Sequence, residues 1–339
     1  MNATIKLEKK HFPVLLDELI SIISPLYGGT FIDCTFGQGG YSKKILENRL
    51  NKVLAFDRDS ETFYVAESLK EKYGKRFNFE NIKFSEIDKL NLKKEKIKAI
   101  IFDLGYSTSQ INDLKKGLSF KSKGRLNMEL GRNQFSAHEV INKLNQESLV
   151  KIFKFFGEEK MSKKIAKQII LERKQKEINT EDLVKIIDII KKKRKTKIHN
   201  ATKIFQSLRI FVNQEISELI YGLIKSFKIL PKGGAIIIVT FHSLEDRIVK
   251  FFLKNYSENS RSSRYLPDIN EKKILLKIKN KKPIIPTNKE ISDNPSSRSA
   301  KLRYAFKLNH LDNFNEFEKK FEHLLNIEKL SEELWKSYL

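Results

Sequence analysis

Along the first hundred residues the apolar positions switch repeatedly between a helical and a strand period. Val14, Leu15, Leu16, Leu19, Ile20 and Ile23 recur at helical spacing behind Pro13 and stop near Pro25, which predicts a helix. Short apolar runs predict strands at 30–36, 52–57, 77–84 and 97–104, with helices at 40–50 and 60–73. This alternation implies a doubly wound α/β fold, a parallel sheet covered on both faces. After Gly105 it stops. Residues 106–132 read as a loop carrying Gly117, Gly124 and Gly131. Ser136-Ala-His-Glu139 matches a capping box and predicts a helix to about Phe156, followed by helices at 158–175, 181–194 and 201–229. The buried-strand pattern Ala235-Ile-Ile-Ile-Val-Thr-Phe241 then resumes the sheet. Residues 257–297 are irregular, 302–308 predict a short closing strand, and Leu311 to Leu339 read as an amphipathic helix with Phe314, Phe317 and Phe321. The simplest organisation is one α/β domain made of residues 1–110 and 206–310. A helical insertion, 111–205, interrupts it, and a terminal helix, 311–339, follows.

Charge adds a partner to that picture. The 339 residues carry 66 basic and 42 acidic side chains, a net +24. Residues 1–110 hold 18 basic against 15 acidic groups, residues 111–205 hold 24 against 11, and residues 206–339 hold 24 against 16. A lysine-rich compositional bias explains many of these residues but not their unequal placement. Concentrated in the helical insertion, they point to a polyanion such as RNA, whose condensed counterions they displace. Lys191 to Lys197 is the densest run. The terminal helix differs, with 4 basic against 7 acidic residues, and is expected to pack on the protein or bind a partner. The single cysteine, Cys34, supports neither a disulfide framework nor a cysteine metal cluster. No apolar run reaches the ~18 residues of a membrane span, and Met1 to Lys10 lack a signal-like apolar segment, so a cytoplasmic protein without membrane contact is expected.

The candidate chemistry sits at predicted strand ends. Phe31-Ile-Asp-Cys-Thr-Phe-Gly-Gln-Gly-Gly-Tyr-Ser42 runs from a strand through a glycine turn into a helix, and Asp57 ends the next strand. Glycines let backbone approach a ligand, and an acid at the next strand end accepts hydrogen bonds from ribose hydroxyls. Ser42 stands where a dinucleotide turn has its third glycine, which favours S-adenosylmethionine over a nicotinamide cofactor. Asp33, Asp57 and Asp103 are expected at the edge of one crevice, outside the carboxyl ends of the strands. A further strand end supplies Phe241-His242, where the imidazole can orient or accept a proton. The same segment also reads as an ordinary helix start, with Ser243 as cap and Glu245 and Asp246 in the first turn. Arg298, Lys301 and Arg303 are candidate phosphate contacts. No metal-ligand spacing, P-loop or nucleophile elbow is present in the sequence.

These segments together resemble the bacterial 16S rRNA cytosine-N4 methyltransferases, the RsmH (formerly MraW) family. The matching stretches are His11 to Glu18, Asp33 to Ser42, Ala55 to Asp59, Asp103 to Gln110, Ala201 to Ile210, Thr240 to Val249 and Asn294 to Leu302. They occur in family order over about 11–308, and Phe241-His-Ser-Leu-Glu-Asp-Arg247 is the most specific. The resemblance implies a Rossmann-like methyltransferase sheet with an inserted RNA-binding helical domain. By it, Gly39, Gly40, Tyr41, Asp57, Phe84, Asp103 and Gln110 correspond to the S-adenosylmethionine contacts. The substrate it implies is a cytosine N4 amine in the decoding region of 16S rRNA, in free rRNA or in the assembled small subunit. Asp103 and His242 are the catalytic candidates. Tyr41 replaces the usual histidine, Ser109 the usual proline, and Asn127 and Glu129 the usual aspartate and arginine of the loop. Two alternatives stand beside this reading. One is an amine methyltransferase acting on DNA, although Leu104-Gly-Tyr106 is not the Pro-Pro-aromatic segment such enzymes carry. The other is a non-catalytic RNA-binding protein with a degenerate pocket.

Overall fold

The computed structural model describes residues 13–90, 92, 96–106, 110–111, 113, 116–120, 122, 124–131, 135–192, 199–257 and 274–332. His11, Ser109 and most of the basic run 191–197 lie outside these.

Helix α1 (Leu16–Ile23) precedes strand β1 (Thr30–Asp33), and α2 (Gly40–Leu46), β2 (Lys52–Phe56), α3 (Phe63–Tyr73), β3 (Phe77–Glu80) and β4 (Ile97–Asp103) follow in the expected alternation. Helices α4 (Ala137–Lys143), α5 (Gln146–Phe155), α6 (Ser162–Glu172), α7 (Thr180–Lys191), α8 (Thr202–Asn213) and α9 (Glu215–Ile229) come next. The chain then returns to the sheet through β5 (Ala235–Thr240), α10 (Ser243–Ser257), β6 (Leu276–Ile278), α11 (Asn288–Asp293) and β7 (Lys301–Lys307), and ends in α12 (Asn315–Glu328). The seven strands lie in the order β3-β2-β1-β4-β5-β7-β6. The first five are parallel, and β7 runs antiparallel between β5 and β6. This is a Rossmann-like, doubly wound sheet with one reversed strand.

Period-two alternation sorts the strand residues onto two faces. Ile32, Ile100, Phe102, Ile236 and Ile238 join one buried cluster, which continues through α4 to α10 and α12. Phe31, Val53, Ala99, Ile101, Ile237 and Val239 join the other, covered by α1, α2 and α3. Covered on both sides, β5 is buried at every position, and each large apolar side chain so buried contributes roughly 1.5–3 kcal/mol.

Two predicted helices are each divided. The capping box at Ser136 forms as expected, its N–H donating to Glu139 at 2.7 Å. The helix it starts ends at Lys143, because Leu144 is extended and Asn145 caps a new helix by accepting from the Ser148 N–H at 2.9 Å. The predicted helix 201–229 breaks at Gln214, which is left-handed with φ 51° and ψ 42°. Asn213, just before the break, is locked by tertiary bonds. Its amide donates to the Met128 carbonyl and accepts from the Leu130 N–H, at 2.8 and 2.9 Å. A left-handed non-glycine residue costs roughly 1–2 kcal/mol, and it persists where its surroundings over-determine it.

The last strand matches its expected place and carries Lys307, a lysine with no exposed surface. Its ammonium donates to the carbonyls of Phe227 and Leu230, at 2.5 and 2.7 Å, and lies 4.4 Å from the Phe227 ring centre. Those carbonyls end α9, where a cation also complements the helix dipole. Lys307→Ala is expected to lower unfolding free energy by about 3 kcal/mol, since it leaves a void and removes the donors. Urea denaturation measures this, and a loss below about 1 kcal/mol would contradict the capping role.

Candidate active site

A cleft opens at the carboxyl ends of β1, β2, β4 and β5, where an open α/β sheet places its ligands. One wall is the turn after β1. Phe36 to Gly39 make that turn, Gly39 with φ 70°, and Gly40 begins α2. A Cβ on Gly40 would stand 2.1 Å from Pro13, so the glycine permits the chain entering α1 to pack on the turn. Tyr41 is buried at the cleft edge and its hydroxyl donates to the Val14 carbonyl.

The predicted acids take different places. Asp57 lines the cleft and holds the turn, its carboxylate accepting from the N–H groups of Gly37 and Asp59 at 2.8 and 2.9 Å. Burial pushes its carboxyl up against those two hydrogen bonds. Asp33, expected at the crevice edge, lies beneath it instead, 1% exposed. It accepts from the Ser42 hydroxyl at 2.6 Å and the Thr35 N–H at 3.3 Å, and burial raises it to about 6. Ser42, the residue that breaks the dinucleotide pattern, thus supplies the donor that a buried carboxylate needs. Asp103 lines the cleft at the end of β4, and its Oδ1 is buried without a hydrogen-bond partner. Burial, and then the charges of Asp33 and Glu245, hold its carboxyl well above the usual range.

Phe84 and Gln110 also line the cleft. Phe84 packs edge-on to Phe102 with ring centres 5.2 Å apart, and it abuts Gly222 of α9, where a Cβ would stand 2.5 Å from the ring. The Gln110 amide donates to Asp59 at 2.7 Å, and Lys116 reaches the same oxygen at 2.8 Å. Burial works against Asp59, but these two partners keep it below its ordinary value.

His242 stands beside the cleft, immediately before α10, rather than free within it. Its Nδ1 lies 3.3 Å from the Glu245 N–H and its Nε2 lies 3.0 Å from Glu245 Oε1. Glu245 Oε2 accepts from the N–H groups of Phe241 and His242. Burial opposes ionisation of Glu245, yet His242 and then Arg209 hold it below the usual range. Nδ1 is thus hydrogen-bonded within the helix cap, while Nε2 lies close to the Glu245 carboxylate but is buried without a hydrogen-bond partner. Of the three cations, Lys301 and Arg303 both bond Asp246, at 3.2 and 2.7 Å, while Arg298 is exposed. Asn294 and Ser296, from the same segment, line the cleft.

Sequence reasoning missed the opposite wall. Glu215, Glu218 and Leu219 come from the first turns of α9, and Asn213 from the break before it. Arg209 grips Glu215 with two bonds of 3.1 and 3.0 Å and stacks 4.1 Å from the centre of the Tyr106 ring, whose hydroxyl also donates to Glu215. No periodic or motif signal marks Glu215, because its place depends on the left-handed Gln214. Glu215, His242 and Glu245 bring one ligand atom each within 4.8 Å of one another. Arg209 is already the cation at that point.

With this geometry in place, the chain matches the model of the MraW methylase family over residues 8–308. The chain belongs to the MraW methylase family. It is 39% identical over 309 residues to "Ribosomal RNA small subunit methyltransferase H" of Orientia tsutsugamushi strain Ikeda, covering 88% of this chain and 98% of that protein. The protein of the same name from Rickettsia africae is 40% identical over 304 residues, with coverages of 88% and 98%. That from Agrobacterium fabrum is 38% identical over 297 residues, with coverages of 87% and 86%. The family match spans every strand of the sheet and ends before α12. Among the described residues, no helix is long and apolar enough to cross a membrane.

The raised carboxyl of Asp33 makes a pH prediction. Its folded pKa of about 6 exceeds its ordinary 3.8, so the folded chain binds this proton more tightly than the unfolded chain. Its stabilising contribution is complete below the ordinary value and is lost as pH rises through the folded one. Native protein is expected to lose stability relative to Asp33→Asn between pH ~4 and ~6, with a constant difference above. Urea titrations across that range check it, and a difference growing in the opposite direction would contradict the burial assignment.

Proposed function

We propose that this protein transfers the methyl group of S-adenosylmethionine to the exocyclic N4 amine of a cytosine in the decoding region of 16S rRNA. The observation that carries the reading is the buried, unpartnered Oδ1 of Asp103 at the floor of the cleft. In a chain of net charge +24, this one site gathers carboxylates whose burial is incompletely compensated. A cationic ligand supplies what they lack, and S-adenosylmethionine brings a sulfonium and an ammonium. The fit extends to the turn: Asp57 stands at the β2 end to receive ribose hydroxyls and holds the Gly37 N–H, while Gly40 and Tyr41 line the cleft and Gly39 lies in the turn without lining it. Phe84 offers an apolar wall to the adenine, and Gln110 closes the side near Asp59.

When bound, the sulfonium provides an activated methyl group with a neutral thioether as leaving group. The residues of the chain then hold the amine in line with it, a positioning effect worth up to several kcal/mol. The cytosine amine lone pair is delocalised into its ring. Asp103 accepts an N–H from that amine, which localises the pair, and takes the departing proton as positive charge develops. His242, whose Nδ1 accepts from the Glu245 N–H, belongs to the cap beside the cleft and does not line it, which leaves the Asp103 carboxylate as the acceptor. The target base leaves its stack to enter the cleft. The basic helices of residues 111–205, together with the exposed Arg298, hold flanking RNA. Lys301 and Arg303, tied to Asp246, contribute the charge that remains from that cluster.

Labelled methyl transfer to small subunits, naked rRNA and DNA, with nucleoside mass spectrometry, tests the reaction. N4-methylcytidine in rRNA is expected; methylation of DNA alone, or at ring carbon, would overturn it. Asp103→Asn is expected to lower kcat roughly 100-fold, in the range of general-base loss, without changing affinity for the small subunit. Asp57→Ala is expected to weaken S-adenosylmethionine binding at least tenfold while leaving RNA affinity unchanged. Calorimetry showing native cofactor affinity in that variant would remove the ribose assignment.

A further inference from the structure

The terminal helix has no role in the reading above, yet it reaches the wall of the cleft. Its aromatic face is anchored in the α9 and α10 layer. Phe317 packs on Phe252 with ring centres 5.0 Å apart, and Phe314 packs on Phe227 at 5.4 Å. On its other side His323 meets Phe155 of α5 at 5.8 Å, so α12 touches both the sheet's helical layer and the helices of the insertion. Its last residue is Glu328, 3% exposed. Its two carboxylate oxygens accept from the N–H groups of Ile216 and Ser217, at 2.8 and 2.9 Å.

Those N–H groups open α9. The first four amides of a helix need partners from outside it, and the preceding side chain normally supplies one. Gln214 makes no such side-chain cap, being left-handed. The carboxylate arrives instead from more than a hundred residues away, and it places negative charge where the helix dipole is positive. At the far end of the same helix, Lys307 gives positive charge to the last carbonyls. One helix is therefore held at both ends by buried side chains: at its start by a carboxyl that burial pushes up to about 7, and at its end by a lysine ammonium.

We propose that Glu328 is a positioning residue for the cofactor pocket: by bonding the first turn of α9 it fixes the wall formed by Glu215, Glu218 and Phe84. The connections are direct. Glu215 is the residue before Ile216 and carries the Arg209 and Tyr106 contacts. Glu218, one turn on, accepts from the backbone and hydroxyl of Ser85, at 3.0 and 2.7 Å. Ser85 follows Phe84, which rests on Gly222 of the same helix. A shift of α9 along its axis moves all three lining residues together. Glu328 lies beyond residue 308, where the family match ends, so this support belongs to the terminal extension of this chain.

This inference rests on the S-adenosylmethionine reading, and its test separates the two. Calorimetric binding of S-adenosylmethionine is measured for the full chain, Glu328→Ala, Glu328→Gln and the exposed control Glu322→Gln, at a temperature where circular dichroism shows each folded. Glu328→Ala is expected to raise Kd and the KM for S-adenosylmethionine by about threefold to tenfold, the range of a lost helix cap, with kcat retained. Glu328→Gln, which keeps one acceptor oxygen, is expected to fall between, and it decides the question if the alanine variant does not fold. Glu322→Gln is expected to bind as the native chain does. Native affinity in both Glu328 variants, or an equal loss in Glu322→Gln, would overturn the inference alone. Failure of the native chain to bind S-adenosylmethionine would overturn the cofactor reading and this inference with it.

Discussion

Between α8 and α9 the backbone makes one left-handed residue, Gln214, and most of the cleft depends on that break. A continuous helix would carry Glu215 round to a different face and separate it from Arg209. The break places the two side chains against each other in a two-bond ion pair, with Tyr106 beneath the guanidinium. It also frees the Asn213 carbonyl to accept from Arg58, at 2.8 Å, which brings the segment after β2 to the same point. The cost of the left-handed residue is met by Asn213, which bonds the loop at Met128 and Leu130. Those bonds are formed only when the loop, the helices and the sheet are all in place. The break is therefore a property of the assembled fold.

The acidic cleft is a second consequence of assembly. Parallel strands all end on one edge, so acids that close successive strands converge there. Water is excluded by the helical layers, and the cost of ionising appears as raised carboxyls at Asp33, Asp57 and Asp103. Hydrogen-bond donors alone do not offset burial at Asp33 and Asp57, but where a basic side chain also stands against the acid the direction reverses, as at Asp59 beside Lys116 and at Glu245 beside His242 and Arg209. The contrast divides the acids by purpose. Satisfied acids brace the loops, while Asp103 retains a buried oxygen with no partner. Perturbed groups of that kind in a cleft mark functional sites more often than structural ones.

Much of the architecture was legible in the sequence because its signals are local. Strand positions β1 to β5 followed from apolar runs between turn residues, and the capping box at Ser136 formed as its spacing predicts. The glycine turn and Asp57 could be paired because a strand, a tight turn and the next strand end are close along the chain. The divided helices were less legible. Asn145 is itself a cap residue with a local signal, outweighed in the periodic reading by the apolar positions on either side. Gln214 has no such signal, since glutamine is an ordinary helix former.

The sequence by itself therefore determined the element types, the parallel core of the sheet and the turn that lines the cleft, all governed by interactions among near neighbours. Tertiary structure alone decided which charges are free to act. It drew Lys301 and Arg303 onto Asp246, set His242 against Glu245 in the helix cap, and left Asp103 Oδ1 without a partner at the cleft. It also decided that an acidic tail outside the family match would end as a buried cap on α9. Partner choice for a charged side chain depends on distances between segments far apart in sequence, and periodicity carries no information about those.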